Sequence, residues 1–184
     1  MKYTPERMTI GQVLSMTNPP VVVPDWQRNY SWTTVEIETF WQDLMRFGEQ
    51  YPEDNIEGEE YFLGAVVIVD MNNSHLLLDG QQRIATAAIL TSVVRDYLSR
   101  YKADAATRIS TRYLTDYDDA LEDYTYKITL NRYDRDYFKR LVLETRDTNW
   151  QEPEAIYESH TFIKRAQAYF SKKFEEKYPF RQYS

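Results

Sequence analysis

The chain has 184 residues, a formal net charge of −7, 28% charged and 42% hydrophobic content, and no cysteine. The length suits one domain, or one domain with a small annex. The missing thiols exclude disulfide scaffolds, thiolate zinc sites and every cysteine-based mechanism. The glycines (Gly11, Gly48, Gly58, Gly64 and Gly80) show neither the Walker A nor the dinucleotide-fingerprint spacing, and His75 and His160 lie too far apart in sequence to suggest a histidine metal motif. Met1 to Thr9 are polar and carry no signal-peptide pattern, and the longest apolar run, Ala65 to Val69, is too short to cross a bilayer. The expectation is a cytoplasmic protein with no membrane partner. Charge is uneven: residues 1–100 carry 7 Lys/Arg against 14 Asp/Glu, and residues 101–184 carry 15 of each.

In chain order, Thr9 caps a short helix to Met16, with Ile10, Val13 and Leu14 on one face. Val21-Val22-Val23 before Pro24 reads as a short strand near a sheet edge. Thr33 and Glu36 form a capping box for a helix to Phe47 or Gly48, with Ile37, Phe40, Trp41, Leu44 and Met45 on its apolar stripe. Residues 49–60 form an acidic loop (Glu53, Asp54, Glu57, Glu59, Glu60), either solvated or lending one carboxylate to a metal. Tyr61 to Asp70 and His75 to Leu78 are strands of a hairpin around the turn residues Met71 to Ser74. A long helix covers Gln81 to Tyr101, with Ile84, Ala87, Ala88, Thr91, Val94 and Leu98 inward, and another covers Asp104 to Leu114. Tyr126 to Leu130 is extended, Asp134 to Glu144 is helical, and a final helix spans Glu154 to Lys177 with Ile156, His160, Ile163, Ala166, Phe170 and Phe174 inward. A small sheet near the N-terminus followed by dominant helices is an α+β fold.

Two polar clusters stand out. Pro24-Asp25-Trp26-Gln27-Arg28-Asn29-Tyr30-Ser31-Trp32 joins a strand to a helix. It is either a loop pinned by aromatic packing, or a ligand loop whose rings stack a base while Gln27 and Arg28 donate to phosphate or ribose. In the second, a buried strand ends in Asp79-Gly80 and a helix starts at Gln81-Gln82-Arg83, with Thr86 one turn along. Asp79 can cap that helix and Gly80 permits a tight turn. Arg83 has the wrong sign for the positive end of a helix dipole. It makes sense with an anion bound between it and the free backbone N–H groups, or with a carboxylate partner such as one from residues 57–60. In a nucleotide site Asp79 can hold a divalent cation or orient a water nucleophile, while Arg28 and Arg83 neutralise phosphate charge.

Asp79-Gly80-Gln81-Gln82-Arg83 with Thr86 resembles the DGQQR motif of domain-of-unknown-function family 262. That family is similar in fold to ParB and sulfiredoxin and forms the N-terminal part of GmrSD-type modification-dependent restriction systems and related anti-phage proteins. Val23 to Trp32 resembles the family's Pro-x-aromatic-Gln-Arg-x-Tyr-x-Trp block, Tyr61-Phe62-Leu63-Gly64 its aromatic-Phe-Leu-Gly strand, and Ser159 with Ile163, Ala166 and Phe170 its closing helix. The resemblance covers residues 8–172. It departs from the family at Trp26, usually Tyr or Phe, and at Ala85, commonly Thr.

The resemblance implies a ParB/sulfiredoxin-like core over residues 1–102 carrying the nucleotide site, and a mainly helical extension over 103–184. It implies a nucleotide-binding module that hydrolyses ATP or GTP with Mg2+ and serves a nuclease domain or subunit acting on DNA. Catalytic roles would fall to Asp79 (also the metal ligand), Arg83 and Gln82; nucleotide contacts to Gln27, Arg28, Gly80, Gln81 and Thr86; and the pocket wall to Trp26, Tyr30 and Trp32. With two histidines, no His-Asn-His nuclease can be assembled from this chain. Two alternatives stand beside hydrolysis. One is a non-catalytic sensor of nucleotide or modified DNA. The other is a DNA-binding face on the C-terminal basic run, which from Phe162 onward holds six basic residues against two acidic ones.

Overall fold

The computed structural model describes residues 6–17, 19–51, 61–71, 73–119 and 122–179. The expected acidic cluster over Glu53–Glu60 lies outside the described residues. The fold is α+β, as the order of elements predicts. Helix α1 (Ile10–Leu14) leads to strand β1 (Val21–Val22), helix α2 (Thr34–Gln50), and the hairpin of β2 (Val67–Met71) and β3 (Ser74–Asp79). Helices α3 (Gln81–Ser99) and α4 (Ala103–Tyr113) follow, then strands β4 (Thr115–Asp118), β5 (Asp123–Tyr126) and β6 (Ile128–Thr129). Helix α5 (Arg135–Phe138) runs into a π-helical turn over Lys139–Leu143, and helix α6 (Glu158–Lys177) closes the chain.

The main sheet has the order β2-β3-β1-β6, and β4 and β5 form a separate hairpin. Strand β1 therefore lies inside the sheet, parallel to β3 and β6, rather than at the predicted edge. Pro24 does not disturb it because the ladder ends one residue earlier, where the Val23 N–H donates to the Thr129 carbonyl at 2.8 Å. The predicted strand from Tyr61 pairs only from Val67 onward. The Leu63 and Ala65 carbonyls, which a ladder would need, are instead taken by the Arg83 side chain.

Both N-terminal caps follow from local sequence. Thr9 closes a capping box with Gln12, and Thr33 closes one with Glu36. Helix α3 is the hub, packing against α1, α4, α6 and the π-helical turn. Its buried side includes Ile84, Ala85, Ala88, Ile89 and Val93, whereas Thr91, Val94 and Leu98 are only half-buried. The core face turns toward Arg95, which is 2% exposed. That charge is tolerated because its guanidinium donates to the Leu143 and Glu144 carbonyls, at 2.8 and 3.0 Å, and its Nε pairs with Asp96. Helix α6 starts at Glu158, not Glu154, and Ile156 points outward. His160 Nδ1 accepts the Ile156 N–H at 3.1 Å, which holds the entering chain extended.

Candidate functional site

The loop after β1 is held in place by side chains. Gln27 turns back on Pro24 through its N–H, and its Nε2 donates to the Leu78 carbonyl at 2.8 Å. Its Oε1 accepts from Gln81 Nε2 at 3.2 Å. Gln82 makes a two-ended contact: Oε1 accepts the Ser31 N–H at 2.8 Å and Nε2 donates to the Asn29 carbonyl at 3.1 Å. The Tyr30 ring lies buried behind the loop, where its hydroxyl and that of Thr86 share a hydrogen bond of 2.8 Å. Burial pushes the Tyr30 phenol well above the usual tyrosine range, against the opposing pull of the Thr86 bond. It is a neutral structural group.

At the start of α3 the N-cap is Gly80, with φ +86, and no side chain caps the first turn. The expected cap from Asp79 is not made. Gly80 itself occupies the cap position in the left-handed conformation, and Asp79 remains the last residue of β3, its side chain exposed. Helix α3 therefore presents backbone N–H groups of its first turn without a side-chain acceptor. Arg83 Nη1 donates to the Leu63 carbonyl at 2.9 Å and Nη2 to the Ala65 carbonyl at 2.7 Å. Its partners are neutral carbonyls, so the guanidinium charge stays uncompensated by any carboxylate among the described residues; residues 57–60 lie outside them. Gly64, at φ +110, sits where a Cβ would fall 1.6 Å from Arg83 Nη1.

The two clusters meet. An open cleft of about 600 Å³ is lined by Gln27, Arg28, Trp32, Leu78, Asp79, Gly80, Gln81, Gln82 and Arg83. Three of the predicted residues stay out of it. Trp26 is 75% exposed and turned to solvent, while Tyr30 and Thr86 are buried behind the wall. The Arg28 side chain is exposed and makes no hydrogen bond or ion pair among the described residues, and the same holds for the side chain of Asp79, whose backbone pairs with Val67. The cleft thus brings together two guanidinium groups, one unpartnered carboxylate and an uncapped helix N-terminus, an arrangement suited to a polyanion. The side-chain amides of Gln27, Gln81 and Gln82 hold the loop.

Asn131 and Asp134 are not among the sequence-predicted residues, yet both reach the loop after β1. Each is 1% exposed. The only sequence signal was two Asx residues three apart directly after a strand, which reads equally well as an ordinary turn. The C-terminal basic run is largely neutralised: Lys164 pairs with Glu152, Lys172 and Lys173 with Glu176, and Lys177 with Glu49. That pairing argues against a phosphate-facing stripe on α6.

Among the described residues no helix is long and apolar enough to cross a membrane. Residues 10–183 match the family described as GmrSD restriction endonuclease, N-terminal domain. No curated protein matches the chain.

Proposed function

The chain belongs to the GmrSD restriction endonuclease N-terminal domain family, and from that premise we propose that its cleft binds and hydrolyses a nucleoside triphosphate in support of a nuclease domain or subunit acting on DNA. The observation that carries this reading is the meeting of Arg28, Arg83, Asp79 and the uncapped N-terminus of α3 in one cleft. Phosphates would sit against the backbone of Gly80 to Gln82, with a guanidinium on either side. Water attacks the terminal phosphorus, the bond to the diphosphate breaks, and the water proton passes to Asp79. The arginines stabilise the charge that gathers on the transferred group.

Among the described residues no three acidic or histidine side chains gather into a metal cage. Mg2+ would be held by phosphate oxygens and water, with Asp79 reaching it through one of those waters, so that the carboxylate stays free to accept the proton. When bound there, Mg2+ would neutralise phosphate charge.

The test is phosphate release from ATP and GTP with Mg2+, with and without DNA. Wild type should turn over at least one nucleotide, and Asp79→Ala should lose turnover by about 100-fold or more, as expected for a general base. Absence of release from wild type overturns hydrolysis by this chain. A second reading, nucleotide sensing without turnover, is favoured by the engagement of all three cleft glutamines in holding the loop, which leaves Asp79 alone to orient water. Saturable binding without release would support it.

A further inference from the structure

The segment that follows β6 meets the ligand loop from behind, about a hundred residues away in sequence. Asn131 Nδ2 donates to the Gln27 carbonyl at 2.9 Å and to Asn29 Oδ1 at 3.0 Å. Its own Oδ1 accepts the Tyr133 and Asp134 N–H groups, both at 3.2 Å, so its side chain is tied into a local turn. Asp134 Oδ2 accepts the Tyr30 N–H at 2.7 Å, and its Oδ1 accepts the Ser159 hydroxyl of α6. The Arg132 N–H adds a bond of 2.8 Å to Asp25 Oδ1. These contacts fall at positions 25, 27, 29 and 30 and bracket Arg28 on both sides.

A buried carboxylate and a buried carboxamide are expensive unless their hydrogen bonds are made. Here half of those bonds go to the loop, and the rest tie the pair to its own turn and to Ser159. An apolar pair of similar size would fill the same space without needing partners, but it would leave the loop backbone unfixed. Arg28, at the centre of the bracket, makes no hydrogen bond or ion pair among the described residues; its charge acts weakly on the Glu36 carboxyl.

We propose that Asn131 and Asp134 are positioning residues of the cleft, fixing residues 25–31 so that Arg28 faces Asp79, Gly80 and Arg83. They act through the loop and touch no ligand. The inference deepens the nucleotide reading, and its affinity arm rests on that reading; its exchange arm does not.

The test combines amide hydrogen exchange with calorimetric binding of inorganic tripolyphosphate in the presence of Mg2+, a probe of phosphate contacts without a base. The first variant is Asn131→Ser, whose hydroxyl can still accept within the local turn but cannot reach the loop. Exchange at Asn29 to Ser31 should rise about tenfold while α3 keeps wild-type protection, and affinity should fall about tenfold, the net worth of one or two hydrogen bonds. Asp134→Ala should do the same. Asp134→Asn, which keeps an acceptor for the Tyr30 N–H and lets the Ser159 hydroxyl reverse its role, should restore both readouts to within about twofold. Unchanged loop exchange in Asn131→Ser overturns the proposal, and so does raised loop exchange with unchanged affinity. Failure of wild type to bind the probe overturns the nucleotide reading instead, and the exchange comparison then decides the brace alone. Should Asp134→Ala fail to fold, Asn131→Ser against Asp134→Asn carries the same contrast.

Discussion

Arg83 shows how a single side chain links a sequence anomaly to a structural need. A cation in the first turn of a helix opposes the helix dipole. Here it is retained because the guanidinium straps the extended segment before β2 by donating to the Leu63 and Ala65 carbonyls. Neutral carbonyls satisfy its geometry and leave its charge available to a ligand in the cleft. Gly64, between those carbonyls, has φ +110 and no room for a Cβ beside Arg83 Nη1. Gly64→Ala is therefore expected to push the guanidinium off both carbonyls and to strain the backbone, with a loss of about 1–3 kcal/mol in urea unfolding. Wild-type stability in that variant would show that the strap contributes nothing.

At the level of elements, the start of α3 is set by a glycine rather than by a capping side chain. Substituting serine at an N-cap usually stabilises a helix. At Gly80 the sign should reverse, because φ is +86 and a Cβ would meet Val66 Cγ2 at 2.9 Å. Gly80→Ser should lower stability by about 1–3 kcal/mol, read from the urea midpoint; a gain would mean that the turn can relax into an ordinary cap. The elements that were legible in sequence share this local character. The Thr33–Glu36 capping box, the β2–β3 hairpin and the strand-to-helix turn at Asp79-Gly80 are all written within a few residues. Elements fixed by distant partners were not. The interior place of β1 depends on β6, and the start of β2 depends on Arg83. The β4–β5 hairpin went unread because Asp-rich strands with exposed tyrosines lack an apolar alternation. The site divides the same way. Its two motif blocks were visible, but the brace from Asn131 and Asp134 is built across a separation of 104 residues at both the Gln27 and the Tyr30 contacts.

For the whole molecule, the buried core includes the tyrosines Tyr30, Tyr97 and Tyr137, and others lie half-buried against it. Burial raises the phenol pKa of Tyr30, Tyr126, Tyr137 and Tyr169. A tyrosine that holds its proton more tightly when folded contributes fully below its unfolded pKa, about 10, and the contribution is lost as pH rises past that value toward the folded one. Stability should thus be flat from about pH 7 to 9 and fall steeply above about pH 10, measured by urea midpoints across that range; a flat profile to pH 11 would contradict these burials. Around this core the restriction-family module presents a cleft in which Arg28 and Asp79, whose side chains make no hydrogen bond or ion pair among the described residues, meet a helix N-terminus with no side-chain cap. The central claim is that this cleft holds nucleotide phosphates. Calorimetric titration of ATP and GTP with Mg2+ into wild type and Arg28→Ala tests it most directly. At least one nucleotide should bind wild type saturably, and Arg28→Ala should weaken that binding about tenfold or more, the worth of a charge-assisted hydrogen bond, with its melting temperature little changed because the exposed Arg28 side chain makes no hydrogen bond or ion pair among the described residues. Equal affinity in the two proteins, or no binding of either nucleotide by wild type, would contradict the account.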